Sequence, residues 1–211
     1  MTDQTLTTGR SLSEFTAQLA SAQPAPGGGG AAALAGALAA SLAAMAANVT
    51  AANPRYADRH DALATLAASC DAQRTTLLAL IDADTAGFLP LQRAYAIPKD
   101  DPGRAARLAD AAHTACLAPL AMLKHCEQVA LLLPAALSTA SPLLRSDVGC
   151  AAALCSAAAE AAELNVLVNT GLLAPDDRAA TEARAARLRA TVVQCCAQTA
   201  DAVRAALRGE G

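Results

Sequence analysis

Tryptophan is absent from the 211 residues, and the sequence holds only two tyrosines, two phenylalanines and two isoleucines. Eight valines complete the short supply of β-branched apolar side chains, against 60 alanines and 30 leucines. Side chains that suit a pleated sheet are scarce and the strongest helix formers dominate, which excludes a sheet-centred fold. Lysine is nearly missing as well, with two among sixteen basic residues, and the net charge is −3. No basic field exists to attract a nucleic-acid backbone or an anionic membrane surface, so neither is expected as a partner. From Phe15 through Pro54 there is no charged residue at all. That stretch is long enough to span a bilayer, but Ala31 to Ala47 is mostly alanine with three leucines, and it lacks the basic flanks and aromatic belts that anchor a span. A buried central helix is the expectation. Ala32, Gly36, Ala40 and Ala44 recur at four-residue spacing, which lets neighbouring helices approach closely.

Seven cysteines form an odd set without short regular spacing, and most lie in Ala/Leu-rich helical text, which reads as reduced, buried thiols in a cytoplasmic protein. His113, Cys116, His125 and Cys126 share one helix, but the two histidines stand about 18 Å apart along it and cannot share an ion, so no metal is expected. Adjacent Cys195 and Cys196 point about 100° apart and default to packing. The N-terminus is polar, without an apolar run behind a basic patch, so no secretory signal is expected and the mature chain is expected to begin at Met1.

Helix punctuation predicts about six helices in one domain, an all-α, up-and-down antiparallel bundle, with residues 1–10 as a flexible lead. Ser11 and Glu14 fit a capping box that opens a first helix running to about Ala22. A second starts near Gly29 or Gly30 and stops at Asn53-Pro54. A third runs from Tyr56 or Ala57 through the eighties, kinked or ended by Pro90. After a loop over Ile97 to Gly103, a fourth spans Arg104 to about Leu133 and absorbs Pro119, with a second loop expected from Pro134 to Arg145. Ser146 or Asp147 caps a fifth helix to Leu172, and Pro175 opens a sixth that ends at Gly209.

Three places break the Ala/Leu monotony. Pro24-Ala-Pro-Gly-Gly-Gly-Gly30 brings four unobstructed backbone amides to a helix N-terminus, suited to an anion or a polarised carbonyl; the alternative is a flexible connector. No strand precedes it, so it is no dinucleotide fingerprint. Asp82 and Asp84 point about 200° apart on a helix, so at most one faces the core. Downstream of Ser146-Asp-Val-Gly149, where Asp147 could merely cap, Asn165 and Asn169 lie one turn apart on a mostly apolar face, and each carboxamide needs partners from backbone or ligand.

Taken in order, Pro24 to Gly30 with Ala33-Leu-Ala-Gly-Ala37 and Met45, Tyr56, Leu80-Ile-Asp-Ala-Asp84 with Phe88, Ala96-Ile-Pro-Lys99, Arg104, Pro119, Ser146 to Gly149 and Asn165-Val-Leu-Val-Asn169 resemble the formiminotransferase-cyclodeaminase C-terminal domain and its stand-alone methenyltetrahydrofolate cyclohydrolase relatives. The resemblance covers nearly the whole chain. It departs at Gly30, where the family usually has Ser, at Ala140-Ser141, where it usually has Gly-Asn, and at Pro90. It implies an all-helical homodimer of one-carbon metabolism that takes a tetrahydrofolate derivative as substrate and needs no cofactor. The implied reaction is hydrolysis of 5,10-methenyltetrahydrofolate to 10-formyltetrahydrofolate. Ammonia-releasing cyclodeamination and a non-catalytic folate-binding helical module are the alternatives. Either chemistry wants a carboxylate that moves a proton and faces cationic character, with Asp147 the first candidate and Asp84 the second. Gly27, Gly28, Gly29 and Gly30 would position the pterin, and Asn165, Asn169 or Asp82 would meet its donor edge. Lys99, Arg104 or Arg55 would clamp the glutamate tail, with Tyr56 and Ser146 included on their motif positions.

Overall fold

The computed structural model describes residues 7–209, and among them regular structure is entirely helical. The long helices are α1 (Leu12–Leu19), α2 (Gly28–Ala51), α3 (His60–Tyr95), α4 (Arg104–Thr139), α5 (Arg145–Thr170) and α6 (Pro175–Arg208). Short 3-10 turns at Thr7–Gly9, Pro54–Arg59 and Pro142–Leu144 complete the order. Of the ten residues expected to be a flexible lead, 1–6 lie outside the described residues, and Thr7–Gly9 is pinned to α3. The Ser11 box forms on both sides: the Ser11 hydroxyl accepts from the Glu14 amide, and the Glu14 carboxylate accepts from the Ser11 amide at 2.8 Å. α1 is shorter than expected, ending at Leu19.

Short connections make successive helices antiparallel. α2, α3, α4 and α5 close a four-helix bundle, and α6 lies against α4 and α5. Three stretches, Gly28–Ala51, Arg104–Thr139 and Pro142–Thr170, are long and apolar enough by length and composition to cross a membrane. In this fold α2 is the central helix, with Ala33, Ala39, Ala40, Ala43 and Ala46 wholly buried. Ala32, Gly36, Ala40 and Ala44 are all buried, as close packing requires. A β-carbon at Gly36 would stand 3.1 Å from the Cys126 sulfur on α4 and 3.3 Å from the Leu77 methyls on α3. Gly36→Val should therefore overpack the contact of three helices. A loss of about 1–3 kcal/mol is expected, read by calorimetry as a fall in Tm of about 2–4 °C per kcal/mol.

The loop expected from Pro134 is corrected, and of the two outcomes expected at Pro90, a kink or an end, the end is ruled out. α3 runs on past Pro90 to Tyr95, and α4 runs past Pro134 to Thr139, so the loop expected from Pro134 is mostly helix. A proline inside a helix costs about 3 kcal/mol, but tertiary burial beyond it offsets that. Past Pro90, Leu91 and Ala94 pack on Leu108, Ala111 and Ala112 in a satellite apolar cluster, and past Pro134, Ala136 is in the main core. The capping expectation at α5 also fails. The helix begins at Arg145, its cap position is Leu144 with no side-chain bond, and Ser146 and Asp147 lie inside the first turn. All seven cysteines are free; Cys150 is exposed and Cys195 half-buried, while the other five are buried as expected. Burial pushes the Cys70 and Cys116 thiols up to about 11.

Candidate active site

The glycine run is the start of α2. Gly27 is the cap residue, and the first helical bond runs from the Ala31 amide to the Gly27 carbonyl, so the amides of Gly28, Gly29 and Gly30 are free of helical partners. Successive residues turn by about 100°, and the three glycines accordingly meet three different neighbours. A β-carbon at Gly28 would stand 3.2 Å from Asn165 Nδ2 on α5. One at Gly29 would fall on the Asp84 carboxyl of α3. One at Gly30 would stand 3.1 Å from Pro26 and 3.6 Å from Ile81, on the side covered by Phe15. Gly28 and Gly29 thus serve close approach to the Asn165 and Asp84 side chains, whereas Gly30 serves packing.

These contacts frame a cavity of about 240 Å³ walled by Pro24, Ala25, the Gly27 to Gly29 backbone, Asp84, Thr85, Phe88, Leu91, Tyr95, Ala115, Asn165, Val168 and Asn169. The volume is below the roughly 300–1,000 Å³ of ordinary small-molecule pockets, so it suits one ring system of a larger ligand. Burial raises the Asp84 carboxyl above its ordinary value of 3.8. The Asn165 amide donates to the Ala161 carbonyl at 2.8 Å, and that of Asn169 to the Asn165 carbonyl at 2.9 Å. Their NH₂ groups are occupied by helix carbonyls, so their oxygens are left to accept from a ligand. The site therefore offers free main-chain donors, a carboxyl that ionises reluctantly, two amide acceptors and the rings of Phe88 and Tyr95.

Six of the expected site residues, Asp84, Gly27, Gly28, Gly29, Asn165 and Asn169, meet here. The rest do not join them within one chain. Asp82, on the far side of α3, accepts from the Thr7 amide at 2.7 Å and the Thr8 hydroxyl at 3.1 Å, tying down the N-terminal turn. Asp82→Ala should lower stability by about 1 kcal/mol and leave ligand affinity unchanged, measurable by thermal melts and titration of the same preparation. Lys99 is exposed in the loop after α3, and Arg104 donates to the Ile97 carbonyl at 2.9 Å, bracing that loop. Tyr56 lies at the opposite end of the bundle with Arg55, Arg59 and Arg145, its ring 5.7 Å from the Arg59 guanidinium. Ser146 and Asp147 stand at that same end, on the first turn of α5. Eighteen residues separate Asp147 from Asn165, about 27 Å of helix, so in a single subunit Asp147 does not act with Asp84. The order of the two candidate carboxylates is thereby reversed for the cavity itself.

Residues that sequence reasoning missed are Thr85, Leu91, Tyr95 and Val168. A signal was available for two of them: positions 84, 88, 91 and 95 follow i, i+4, i+7, i+11 spacing and share one face of α3. Away from the cavity, His125 Nδ1 pairs with Gln73 Oε1 at 2.8 Å. No cluster of three or more potential metal-ligating side chains occurs among the described residues.

Residues 11–190 match the family described as formiminotransferase-cyclodeaminase. The chain is 34% identical over 187 residues to a methenyltetrahydrofolate cyclohydrolase of Methylorubrum extorquens, an alignment covering 87% of this chain and 89% of that protein. It is also similar to the crystal structure of formiminotetrahydrofolate cyclodeaminase from Thermotoga maritima, with a TM-score of 0.82, 27% identity, and coverage of 95% of this chain and 96% of the other.

Proposed function

We propose that this chain, which belongs to the formiminotransferase-cyclodeaminase family, is a folate enzyme that hydrolyses 5,10-methenyltetrahydrofolate to 10-formyltetrahydrofolate. The observation that carries the reading is Asp84, a carboxyl raised by burial and set against the glycine start of α2. In the reaction, water adds its oxygen to the cationic carbon between N5 and N10, and Asp84 takes the proton that water loses. The tetrahedral adduct then collapses: the C–N5 bond breaks, N5 leaves with the proton held by Asp84, and the adduct's hydroxyl proton passes to solvent. One group must be competent in both protonation states, and a carboxyl moved up toward the working pH meets that need better than an exposed one. The Asn165 and Asn169 oxygens accept from the pterin's N–H edge, the α2 amides hold its carbonyl oxygen, and Phe88 and Tyr95 line the cavity.

The likeness to the Methylorubrum extorquens protein supports hydrolysis, and the likeness to the Thermotoga maritima structure supports formimino chemistry at the same carboxyl as the second reading. Loss of the 5,10-methenyltetrahydrofolate absorbance, corrected for spontaneous hydrolysis, should accelerate with added protein. No acceleration, with ammonia released from the formimino substrate, would transfer the assignment to cyclodeaminase; neither would reduce the chain to a binding module. The enzyme works as a homodimer in the cytoplasm on this reading, which the free thiols and the uncovered apolar side chains on α2 and α5 support.

A further inference from the structure

α5 brings Asn165, Val168 and Asn169 to the cavity wall, so the site depends on the height and rotation at which this helix ends. It ends one residue later, at Thr170. Successive side chains turn by about 100° around a helix, so Thr170 leaves α5 in a different direction from Asn169, and it is wholly buried. A buried hydroxyl needs a partner. One acceptor, the Leu167 carbonyl at 3.1 Å, lies within α5 itself. The other is on α6: the Thr170 hydroxyl donates to Glu182 Oε1 at 2.6 Å. That same oxygen accepts from Arg178 Nε at 2.8 Å, one turn earlier on α6.

The turn beyond Thr170 carries this tie to the back wall of the cavity. The Leu172 amide donates to the Asn169 carbonyl at 3.3 Å and the Leu173 amide to the Thr170 carbonyl at 3.1 Å. Both leucines are thereby fixed to the end of α5. Their side chains pack on the satellite cluster of Leu91, Ala94, Leu108 and Ala115, as does Phe88. Leu91, Ala115 and Phe88 are also walls of the Asp84 cavity. The Asn169 amide stands 3.5 Å from the Ala115 carbonyl, so a shift of the last turn of α5 moves the amide acceptors and the apolar wall together. A second tie joins the same two helices, Glu163 to Arg189 at 2.7 Å. It lies about two turns nearer the middle of α5, and neither of its residues lines the cavity.

We infer that Glu182 is a positioning residue for this site: through Thr170 it sets how α5 presents the Asn165 and Asn169 oxygens, and it keeps Leu172 and Leu173 behind the cavity wall. The identity of the ligand rests on the folate reading above; the coupling of Glu182 to the cavity does not. Glu182 touches no reacting atom. With 31% of its side chain exposed, it sits at the rim of the α5 to α6 contact and acts by holding one buried hydroxyl. A carboxylate acceptor makes a short, charge-assisted hydrogen bond, stronger than one between neutral groups. Thr170, and after it Arg178, hold the Glu182 carboxyl below its ordinary value of 4.5. The carboxylate is therefore ionised at neutral pH, the form that accepts both bonds. The Asn165 and Asn169 oxygens meet the pterin and not the reacting carbon, so they bind substrate and transition state alike. Poorer aim of these oxygens weakens binding and leaves the chemical step unchanged.

Two experiments test this. In the first, steady-state kinetics are measured on variants of the tie. Thr170→Val removes the hydroxyl at nearly constant volume, and Glu182→Ala removes its acceptor at a position exposed enough to be truncated without unfolding the chain. Each is expected to raise KM about ten-fold, the effect of weakening two ligand hydrogen bonds. Turnover should stay near wild type, the pattern of binding lost equally from substrate and transition state. The double variant should be no worse than either single one, because both remove the same bond. Thr170→Ser and Glu182→Gln keep a donor and an acceptor and should restore KM. Arg189→Ala, which breaks the other tie, should lower Tm without changing KM. A KM within about two-fold of wild type in both Thr170→Val and Glu182→Ala, or additive effects in the double variant, overturns the positioning role. The second experiment reads hydrogen exchange of the ligand-free protein by mass spectrometry. Thr170→Val should speed exchange at Leu172 and Leu173 and from Phe88 to Tyr95 on α3, with His60 to Ser69 at the far end of α3 unchanged. Unaltered exchange from Phe88 to Tyr95 overturns the coupling. Should the wild type turn over neither folate substrate, the substrate reading fails, and the exchange experiment alone decides whether Glu182 positions the cavity.

Discussion

Asp84→Asn is expected to lower turnover by about 10²- to 10⁴-fold, the usual worth of a positioned acid–base group, with helical content unchanged. The exchange keeps the shape of the side chain and removes only its ability to take and return a proton. Stability separates this from a general structural lesion. Burial raises the Asp84 carboxyl, so its protonated form is the one the fold favours. That contribution is fully present below the ordinary carboxylate value and is lost as pH rises through the raised one. Asparagine is neutral throughout. Thermal melts across acid to neutral pH should therefore show the variant gaining on the wild type as pH rises, while its turnover stays low at every pH. A variant that melted well below wild type at neutral pH, or that kept most of its turnover, would remove Asp84 from the chemistry.

Gly29→Ala is expected to cost about 10²-fold in turnover, the penalty for displacing a reacting group by about an ångström. The added β-carbon falls on the Asp84 carboxyl, so the carboxyl must move before the alanine fits. Helix propensity acts in the opposite sense, since replacing glycine by alanine within a helix favours the helix by roughly 0.5–1 kcal/mol. A large fall in turnover with a small change in Tm is the expected pattern. Gly28→Val should abolish binding of a stable folate analogue by pushing on Asn165, whose Nδ2 would be 3.2 Å from the new β-carbon. Gly171→Ala is the control, because a β-carbon there meets nothing within 4 Å. Turnover and analogue titration on the three variants, with melts of each, check the set. A Gly29→Ala protein as active as wild type would leave the glycine run without a close-approach role.

Much of the site was legible because short-range signals placed it. The glycines announced a helix start with free amides, Asn165 and Asn169 announced polar groups on an apolar helix, and the opposed directions of Asp82 and Asp84 allowed only one of them inward. Those are local consequences of the helical period. The place of Asp147 was not legible because a carboxylate in the first turn of a helix looks the same in sequence whether the cavity is at that end of the bundle or at the other. Lys99 and Arg104 were undecided in a similar way, since a loop cation shows its charge but not its partners, and Arg104 donates to the Ile97 carbonyl. Pro134 was read as a break, and Pro90 as a kink or an end, because local cost was visible and remote compensation by Leu91, Ala94 and Ala136 was not.

Composition and period by themselves determined that the chain is all helical, where most of its helices start, and which faces are apolar, because backbone propensity and side-chain direction depend on residues within a turn or two. Which carboxylate meets the glycines was decided only by the tertiary structure. Alanines and Gly36 let α2, α3, α4 and α5 approach closely, and that docking sets the height and rotation at which α3 delivers Asp84 and α5 delivers Asn165 to the start of α2. A helix's own sequence fixes directions about its own axis; the meeting of three helix ends is settled by the packing between them.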